Sequence, residues 1–166
     1  MKTTNRIYTA VLALLLSFSS AAVADNAPVR ISNTAMKQEI VVNDKGEREV
    51  RYVEPRTVIP GDVILYTIEF ENIGDQDVSN IVLNDPVPNN SFYRDGSAKG
   101  ENADILFSVD GENFAPADKL TVTENGKQRK ATAKDYTAIR WLVRTPLKPG
   151  EKRSVSFKTQ IKKPGE

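Results

Sequence analysis

A group of oxygen-bearing side chains near the middle of the chain could bind a cation. The group comprises Asn72, Asp75, Asp77, Asn84 and Asp85. Hard oxygen atoms are the ligands that calcium prefers, but the spacing here does not match a calcium-binding loop. Asn and Asp also shape turns by hydrogen bonding to nearby backbone, and Gly74 and Pro86 are further turn residues in the same stretch. We therefore predict that these residues form turns, and we predict no metal site.

The residue types of the chain exclude most other site chemistry. The sequence contains no Cys and no His, so the usual ligands of zinc and copper are missing, as are the bases of serine and cysteine hydrolases. Paired carboxylates could serve a glycosidase. Most Asp and Glu residues, however, lie in mixed-charge runs such as NDKGEREVR (43–51), which are typical of solvated surfaces. We predict no catalytic residue, no cofactor and no enzyme activity, and a carbohydrate-active enzyme is the least favoured alternative.

Aromatic residues could stack on a ligand or pack in a core. Tyr66, Tyr136 and Trp141 lie in segments of alternating hydrophobicity, so we favour core positions for all three. Tyr136 precedes Trp141 as in a tyrosine corner, in which the hydroxyl holds a loop backbone. Phe92 and Tyr93 interrupt a polar stretch. They could contact a partner or a glycan, but we favour packing that caps the core.

The carboxy-terminal part of the chain is basic. Its positively charged residues are Lys148, Lys152, Arg153, Lys158, Lys162 and Lys163. Such a surface could contact an anionic polymer of the cell envelope. Positive charge also protects an edge strand from pairing with other sheets, and we favour this second interpretation.

The amino-terminal segment has the organisation of a secretory signal peptide. Lys2 and Arg6 precede an apolar run from Ala10 to Leu16, and Ala22-Val23-Ala24 forms a cleavage site. The apolar run is shorter than the ~20 residues that a spanning helix needs. We predict cleavage after residue 24 and export to the periplasm or the cell surface, with no membrane span in residues 25–166. Loss of the two basic residues leaves a formal net charge of −1, which argues against nucleic-acid binding.

Hydrophobic alternation with period two predicts short antiparallel strands throughout residues 25–166. In the strongest strand, Val63–Ile73, apolar residues occupy one face, and Tyr136–Arg144 follows the same rule. A charged hairpin (39–53) is expected at a sheet edge, and Asn89–Asp104 is expected to be a surface loop. The prediction is a single all-β domain, an immunoglobulin-like antiparallel β-sandwich of about nine strands.

Three turn motifs resemble a known family. They are Pro60-Gly61-Asp62, Asn72-Ile73-Gly74 and Asp85-Pro86-Val87-Pro88. In this order, around the strands ILYTIEFENIG and VSNIVLNDPVPNN, they resemble domain of unknown function eleven, an immunoglobulin-like module of bacterial and archaeal surface and secreted proteins. The resemblance covers Val58 to Ile161 in a single copy. It implies an immunoglobulin-like fold but names no ligand.

These features favour an exported, non-enzymatic protein of the bacterial envelope that works by interaction or as a structural component. The expected partner is an envelope protein or a glycan, held by surface loops or by strand addition at an open edge. The main alternative is a periplasmic chaperone or assembly factor for surface structures. Such a factor needs a long, accessible apolar groove, and the charges of residues 39–53 argue against one there.

Overall fold

The computed structural model describes residues 28–165, which form an antiparallel all-β sandwich. This confirms the predicted antiparallel all-β sandwich, with eleven strands in the described residues where about nine were expected; the immunoglobulin-like type stays a prediction. In chain order the strands are β1 (Val29–Val42), β2 (Arg48–Val53), β3 (Val63–Asn72), β4 (Val82–Pro86), β5 (Ser91–Tyr93), β6 (Lys99–Gly100), β7 (Ala103–Ser108), β8 (Thr121–Glu124), β9 (Lys127–Lys130), β10 (Ala138–Val143) and β11 (Lys152–Ile161).

The two layers of the sandwich differ in size. The larger sheet has the order β2-β1-β3-β11-β5, and β6 also pairs with β11. The smaller sheet has only three strands, in the order β4-β10-β7. Strands β8 and β9 form a separate hairpin, and all of these ladders are antiparallel. The larger sheet therefore has more strands than the smaller sheet can cover.

The core lies between the sheets, where alternation along each strand directs every second side chain inward. In β3, Ile64, Ile68 and Phe70 are buried while the intervening residues are only partly covered. In β10, Ile139 and Trp141 are fully buried. Both strands agree with the sequence prediction. Their alternating apolar residues face the core, because removal of large apolar side chains from water stabilises the fold.

Strand β1 is one continuous element, although two strands, Val29–Met36 and Glu39–Val42, were predicted. Lys37 and Gln38 separate the two apolar stretches, but neither residue favours a turn. The strand continues through them and changes its pairing: Val29–Gln38 pair with β3, and Lys37–Val42 pair with β2.

Residues Asn89–Asp104 do not form the predicted surface loop. They contain β5 and β6, which pair with one side of β11, and Ser91 and Tyr93 are buried. Strand β11 is consequently an interior strand, because β3 pairs with its other side. Two-residue and three-residue strands carry too little periodicity to be recognised in sequence, and here their formation depends on the free side of β11.

Candidate interaction surface

Strand β1 has an open edge along its first eight residues. Within residues 28–165, Val29–Met36 pair with β3 on one side and with no strand on the other, because β2 reaches only as far as Lys37. The segment contains no Pro and no Gly, and Arg30 is its only charged residue. Edge strands usually carry such residues, or bulges, to prevent further pairing. This edge has one such residue, Arg30, which forms an ion pair with Glu71 of β3.

Two turn contacts indicate which backbone groups face the open side. The amide of Ile73 donates to the carbonyl of Pro28 at 2.7 Å, and the amide of Asn43 donates to the carbonyl of Glu47 at 2.9 Å. Backbone groups of an antiparallel strand point alternately to its two sides. Even-numbered residues of β1 therefore bond to β3, and odd-numbered residues point the other way. The open edge presents the N–H and C=O groups of Val29, Ile31, Asn33 and Ala35.

The core-facing side of β1 is also incompletely covered. Ile31 lies directly opposite Phe70 of β3, and Asn33 lies opposite Ile68, so these pairs share the inner face of the larger sheet. Phe70 is 1% exposed, whereas Ile31 is 55% exposed. The three-stranded sheet covers β3 and leaves much of β1 uncovered.

Beyond β3, the β1–β2 hairpin projects as a two-stranded arm (residues 39–51). Ile40 lies opposite Val50 and Gln38 lies opposite Tyr52, so one face of the hairpin is largely apolar. The exposed fractions on this face are high: Ile40 57%, Val42 67%, Val50 53% and Tyr52 38%. The opposite face carries the pairs Glu39–Arg51 and Val41–Glu49. The charges of this hairpin are evident in the sequence, whereas its apolar face is evident only from the cross-strand register.

The turn at the tip of the arm sets that register. The side-chain oxygen of Asn43 accepts the amides of Lys45 at 3.0 Å and Glu47 at 2.9 Å. Its Nδ2 donates to Glu49 at 2.7 Å, and Gly46 has a φ of +80°, which glycine adopts without strain. Turn chemistry in the sequence could therefore have predicted the pairing of Ile40 with Val50.

The base of the arm is held by a partly buried ion pair. Lys37 Nζ lies 3.1 Å from Asp62 Oδ2, and the amide of Ile59 donates to the same oxygen at 2.9 Å. The hydrogen bond from Ile59, together with Lys37, lowers the pKa of Asp62. These contacts anchor the connection between β2 and β3 at the point where the arm leaves the sandwich.

The predicted turn residues are not gathered into one site. Asn72 is fully buried; its Nδ2 donates to the carbonyls of Gln76 at 2.7 Å and Leu147 at 2.8 Å, and its Oδ1 accepts the amide of Gly74 at 3.0 Å. Asp75 and Asp77 are exposed. The described part of the chain contains no group of three or more acidic side chains placed to hold a metal ion. Asn72 shapes its turn, as the sequence indicated, but the turn prediction is wrong for Asn84 and Asp85, which lie within β4 and pair with β10.

The aromatic residues pack mainly against each other. Tyr66 stacks on Phe157 with centroids 5.1 Å apart, and Trp141 donates from Nε1 to the carbonyl of Lys99 at 3.0 Å. Tyr136 is buried against other aromatic rings, but its hydroxyl makes no hydrogen bond within residues 28–165, so the tyrosine-corner prediction is wrong. The hydroxyl that holds a loop is that of Tyr93, which accepts the amide of Ala98 at 3.0 Å.

Phe92 lies beside the buried Tyr93 and is partly exposed. The ammonium groups of Lys134 and Lys162 lie 4.8 and 4.7 Å from its ring centroid. Tyr93 packs against Phe107 and Tyr136, which supports the capping interpretation for Tyr93. Phe92 alternates with the buried Ser91 and Tyr93 along β5, so its ring lies on the other face of the sheet.

The basic residues of the carboxy-terminal part do not protect an edge, because β11 is an interior strand. Arg153 donates from Nε to Glu151 at 2.6 Å, Lys158 donates to Gln38 at 3.0 Å, and Lys162 donates to the carbonyl of Asn89 at 2.8 Å. Lys152 lies 4.0 Å from Glu71, and Lys148 and Lys163 are exposed. Most of this charge contacts other parts of the same chain.

The predicted signal peptide (residues 1–24) lies outside the described residues. No helix within residues 28–165 has the length and apolar character needed to cross a membrane. Comparison of the chain with protein-family models, with curated proteins and with solved structures finds no match.

Proposed function

We propose that this protein is an exported, non-enzymatic component of the bacterial envelope that binds another protein by accepting a strand at the open edge of β1. The amino-terminal charge, apolar run and Ala-x-Ala site support export. The resemblance of Val58–Ile161 to domain of unknown function eleven supports an immunoglobulin-like surface or periplasmic module. The observation that carries the proposal is the eight-residue open edge, Val29–Met36, in a sheet whose other two long strands, β3 and β11, have partners on both sides.

Strand addition gains affinity from main-chain hydrogen bonds and specificity from alternate side chains. The incoming segment pairs with the free N–H and C=O groups of Val29, Ile31, Asn33 and Ala35. Its length is limited to about eight residues, ~26 Å, because β2 already pairs with β1 beyond that point. Every second side chain of the segment lies on the same face of the sheet as Ile31. We therefore expect a partner strand that is apolar at alternate positions.

A matched pair of variants of Asn33 tests the edge. Asn33→Pro removes an N–H that points to the open side and leaves the ladder with β3 intact, and Asn33→Thr keeps the N–H. We expect cross-linked capture of an envelope protein by wild type and Asn33→Thr, and loss of capture by Asn33→Pro with little change in Tm. Ser32→Pro is the folding control, since it removes an N–H that bonds to β3 and must lower the Tm.

Hydrogen exchange identifies the mode of binding. In the captured complex, the amides of Ile31, Asn33 and Ala35 should gain protection, while amides of the arm remain unchanged. Capture that is equally strong with Asn33→Pro, or a complex without protection of these three amides, would contradict strand addition.

The apolar face of the arm favours a second candidate function, that of an assembly factor which holds unfolded or unassembled subunits. Exposed apolar patches commonly mark protein-binding surfaces. The distinguishing test is light scattering of an aggregating envelope subunit in the presence of the protein. Suppression that disappears in an Ile40→Ser/Val50→Ser double variant, but persists in Asn33→Pro, supports the assembly factor instead of strand addition.

A further inference from the structure

Arg140 lies on the outer face of the smaller sheet, where two neighbours fix its orientation. Its Nε donates to Oδ1 of Asn84 at 2.7 Å, directly across the β4–β10 ladder. Its guanidinium carbon lies 3.8 Å from the ring centroid of Phe114, a stacking distance at which cation–π attraction is effective. The side chain is held in one orientation before any ligand arrives.

The outer part of this guanidinium has no acceptor in the described part of the chain. Arg30, Arg129, Arg144 and Arg153 each form an ion pair with a carboxylate. Arg140 is partly buried, yet none of its contacts within residues 28–165 is a carboxylate, and neither Nη atom donates to another residue of that range. The four Nη–H donors therefore remain available, and the two Nη atoms form a fork that matches a carboxylate.

A cavity of about 300 Å³ adjoins the guanidinium. Its wall includes Phe114, Ala138, Thr137 and Gly111 together with Arg140, and Asp85 and Asp110 also line it. This volume is at the lower end of the range for small-molecule sites, which typically combine apolar walls with a few fixed polar groups. The cavity is therefore large enough for a small ligand or for a terminal group of a larger one.

Neither of the two carboxylates that line the cavity contacts the guanidinium of Arg140 within residues 28–165. Asp110 accepts hydrogen bonds from Ser108, Glu112 and Asn113, and these bonds hold the pKa of its carboxyl far below the usual range. Asp85 lies opposite the fully buried Ile139, so its side chain is directed to the core side of β4 and away from Arg140. Within residues 28–165 the guanidinium of Arg140 therefore has no direct carboxylate partner, while Asp110 stays ionised at the same cavity.

We propose that Arg140 binds the carboxylate of a small ligand whose less polar part lies in the cavity against Phe114 and Ala138. The two Nη atoms donate to the two carboxylate oxygens, and no proton or covalent bond is exchanged. This site is on the smaller sheet, separate from the open edge of β1, so it stands or fails independently of the proposed function.

The test is calorimetric titration of the purified protein with two carboxylates and their uncharged counterparts. The sugar pair is galacturonate and galactose; the peptide pair is N-acetylglutamate methylamide and N-acetylglutamine methylamide. We expect saturable binding of at least one carboxylate and at least about tenfold weaker binding of its neutral partner, because a charge-assisted bidentate contact is lost. Binding of only one of the two acids shows whether the ligand is a sugar acid or a peptide carboxylate. Binding of both acids shows that the carboxylate group itself is recognised.

Three variants assign the binding to Arg140. Arg140→Gln should weaken carboxylate binding about tenfold or more, and Arg140→Lys should restore only part of it. Arg144→Gln, one residue beyond the end of β10, should leave it unchanged. Phe114→Leu keeps the charge of Arg140 but removes the ring that orients its guanidinium. This variant should weaken carboxylate binding without abolishing it. The absence of saturable binding in both pairs, equal binding of acids and neutral counterparts, or full binding by a folded Arg140→Gln variant overturns the proposal.

Discussion

Strands β10 and β1 have the same alternating character but very different surroundings. β10 is paired on both sides, by β4 and β7, and its inward residues Ile139 and Trp141 are 0% exposed. β1 is half unpaired, and its inward residue Ile31 is 55% exposed. Alternation therefore determines which way a side chain points. The number of strands in the opposite sheet determines whether that side chain is buried.

The difference in cover between the two strands also means that β10 contributes to folding stability, whereas β1 is available for binding. Removal of apolar surface from water contributes roughly 25 cal/mol per Å², and β10 gains this on folding. The inner face of β1 and the apolar face of the arm gain little until another molecule covers them. We therefore expect substitutions in β10 to change the free energy of unfolding and substitutions in β1 to change binding.

The largest expected effect is that of Trp141→Ala. This side chain is fully buried, donates a hydrogen bond to Lys99 and packs against Phe157, so its truncation should reduce the free energy of unfolding by about 3–5 kcal/mol. The matched change Ile31→Ala should cost less than about 1 kcal/mol. Urea unfolding followed by circular dichroism measures both, and equal losses would contradict the difference between the two strands.

Gly100→Ala should have the next largest effect, because β6 lies close to the buried side chains of Trp141 and Val155. A Cβ at this position would lie 2.8 Å from Cδ1 of Trp141 and 3.0 Å from Cγ1 of Val155. Overpacking of this kind costs about 1–3 kcal/mol. Ser154→Ala, on the exposed face of the neighbouring strand β11, is the control and should be nearly neutral. An unchanged unfolding midpoint for Gly100→Ala would mean that β6 can move away from Trp141.

The third effect concerns the two tyrosines of the cap. Tyr93→Phe removes the acceptor of the Ala98 amide and should cost about 1 kcal/mol. Tyr136→Phe removes a hydroxyl without a hydrogen-bond partner in the described residues and should cost less. Thermal unfolding of the two single variants compares them directly, and a larger loss for Tyr136→Phe would restore the tyrosine-corner interpretation.

Local sequence was sufficient where one strand carries its own pattern or turn. The alternation of β3 and β10 was correctly predicted, and so was the β8–β9 hairpin, whose Asn125 and Gly126 have φ values of +51° and +75° as a two-residue hairpin turn requires. Strands β5 and β6 were missed because they exist only through pairing with β11.

The candidate sites depend on distant partners and were therefore less accessible to sequence reasoning. The possibility of an open edge was anticipated, but its position on β1 depends on where β2 and β3 begin and end. Arg140 is oriented by Asn84, which is 56 residues away in the sequence, and by Phe114. No local motif joins these three residues.

The smallest expected effect is at Asp85, on the inner face of β4, where the cover of the larger sheet ends. Burial raises the pKa of this carboxyl, so the folded protein disfavours its charged form relative to the unfolded chain. The associated stability is present below the unfolded pKa of about 3.9 and is lost as the pH rises through the higher folded pKa. Asp85→Asn should therefore raise the Tm at pH 7 by about 1–3 °C, and the difference should disappear near pH 3. An Asp85→Asn variant that is less stable than wild type at both pH values would contradict this prediction. It would show that the charged carboxylate has a stabilising partner.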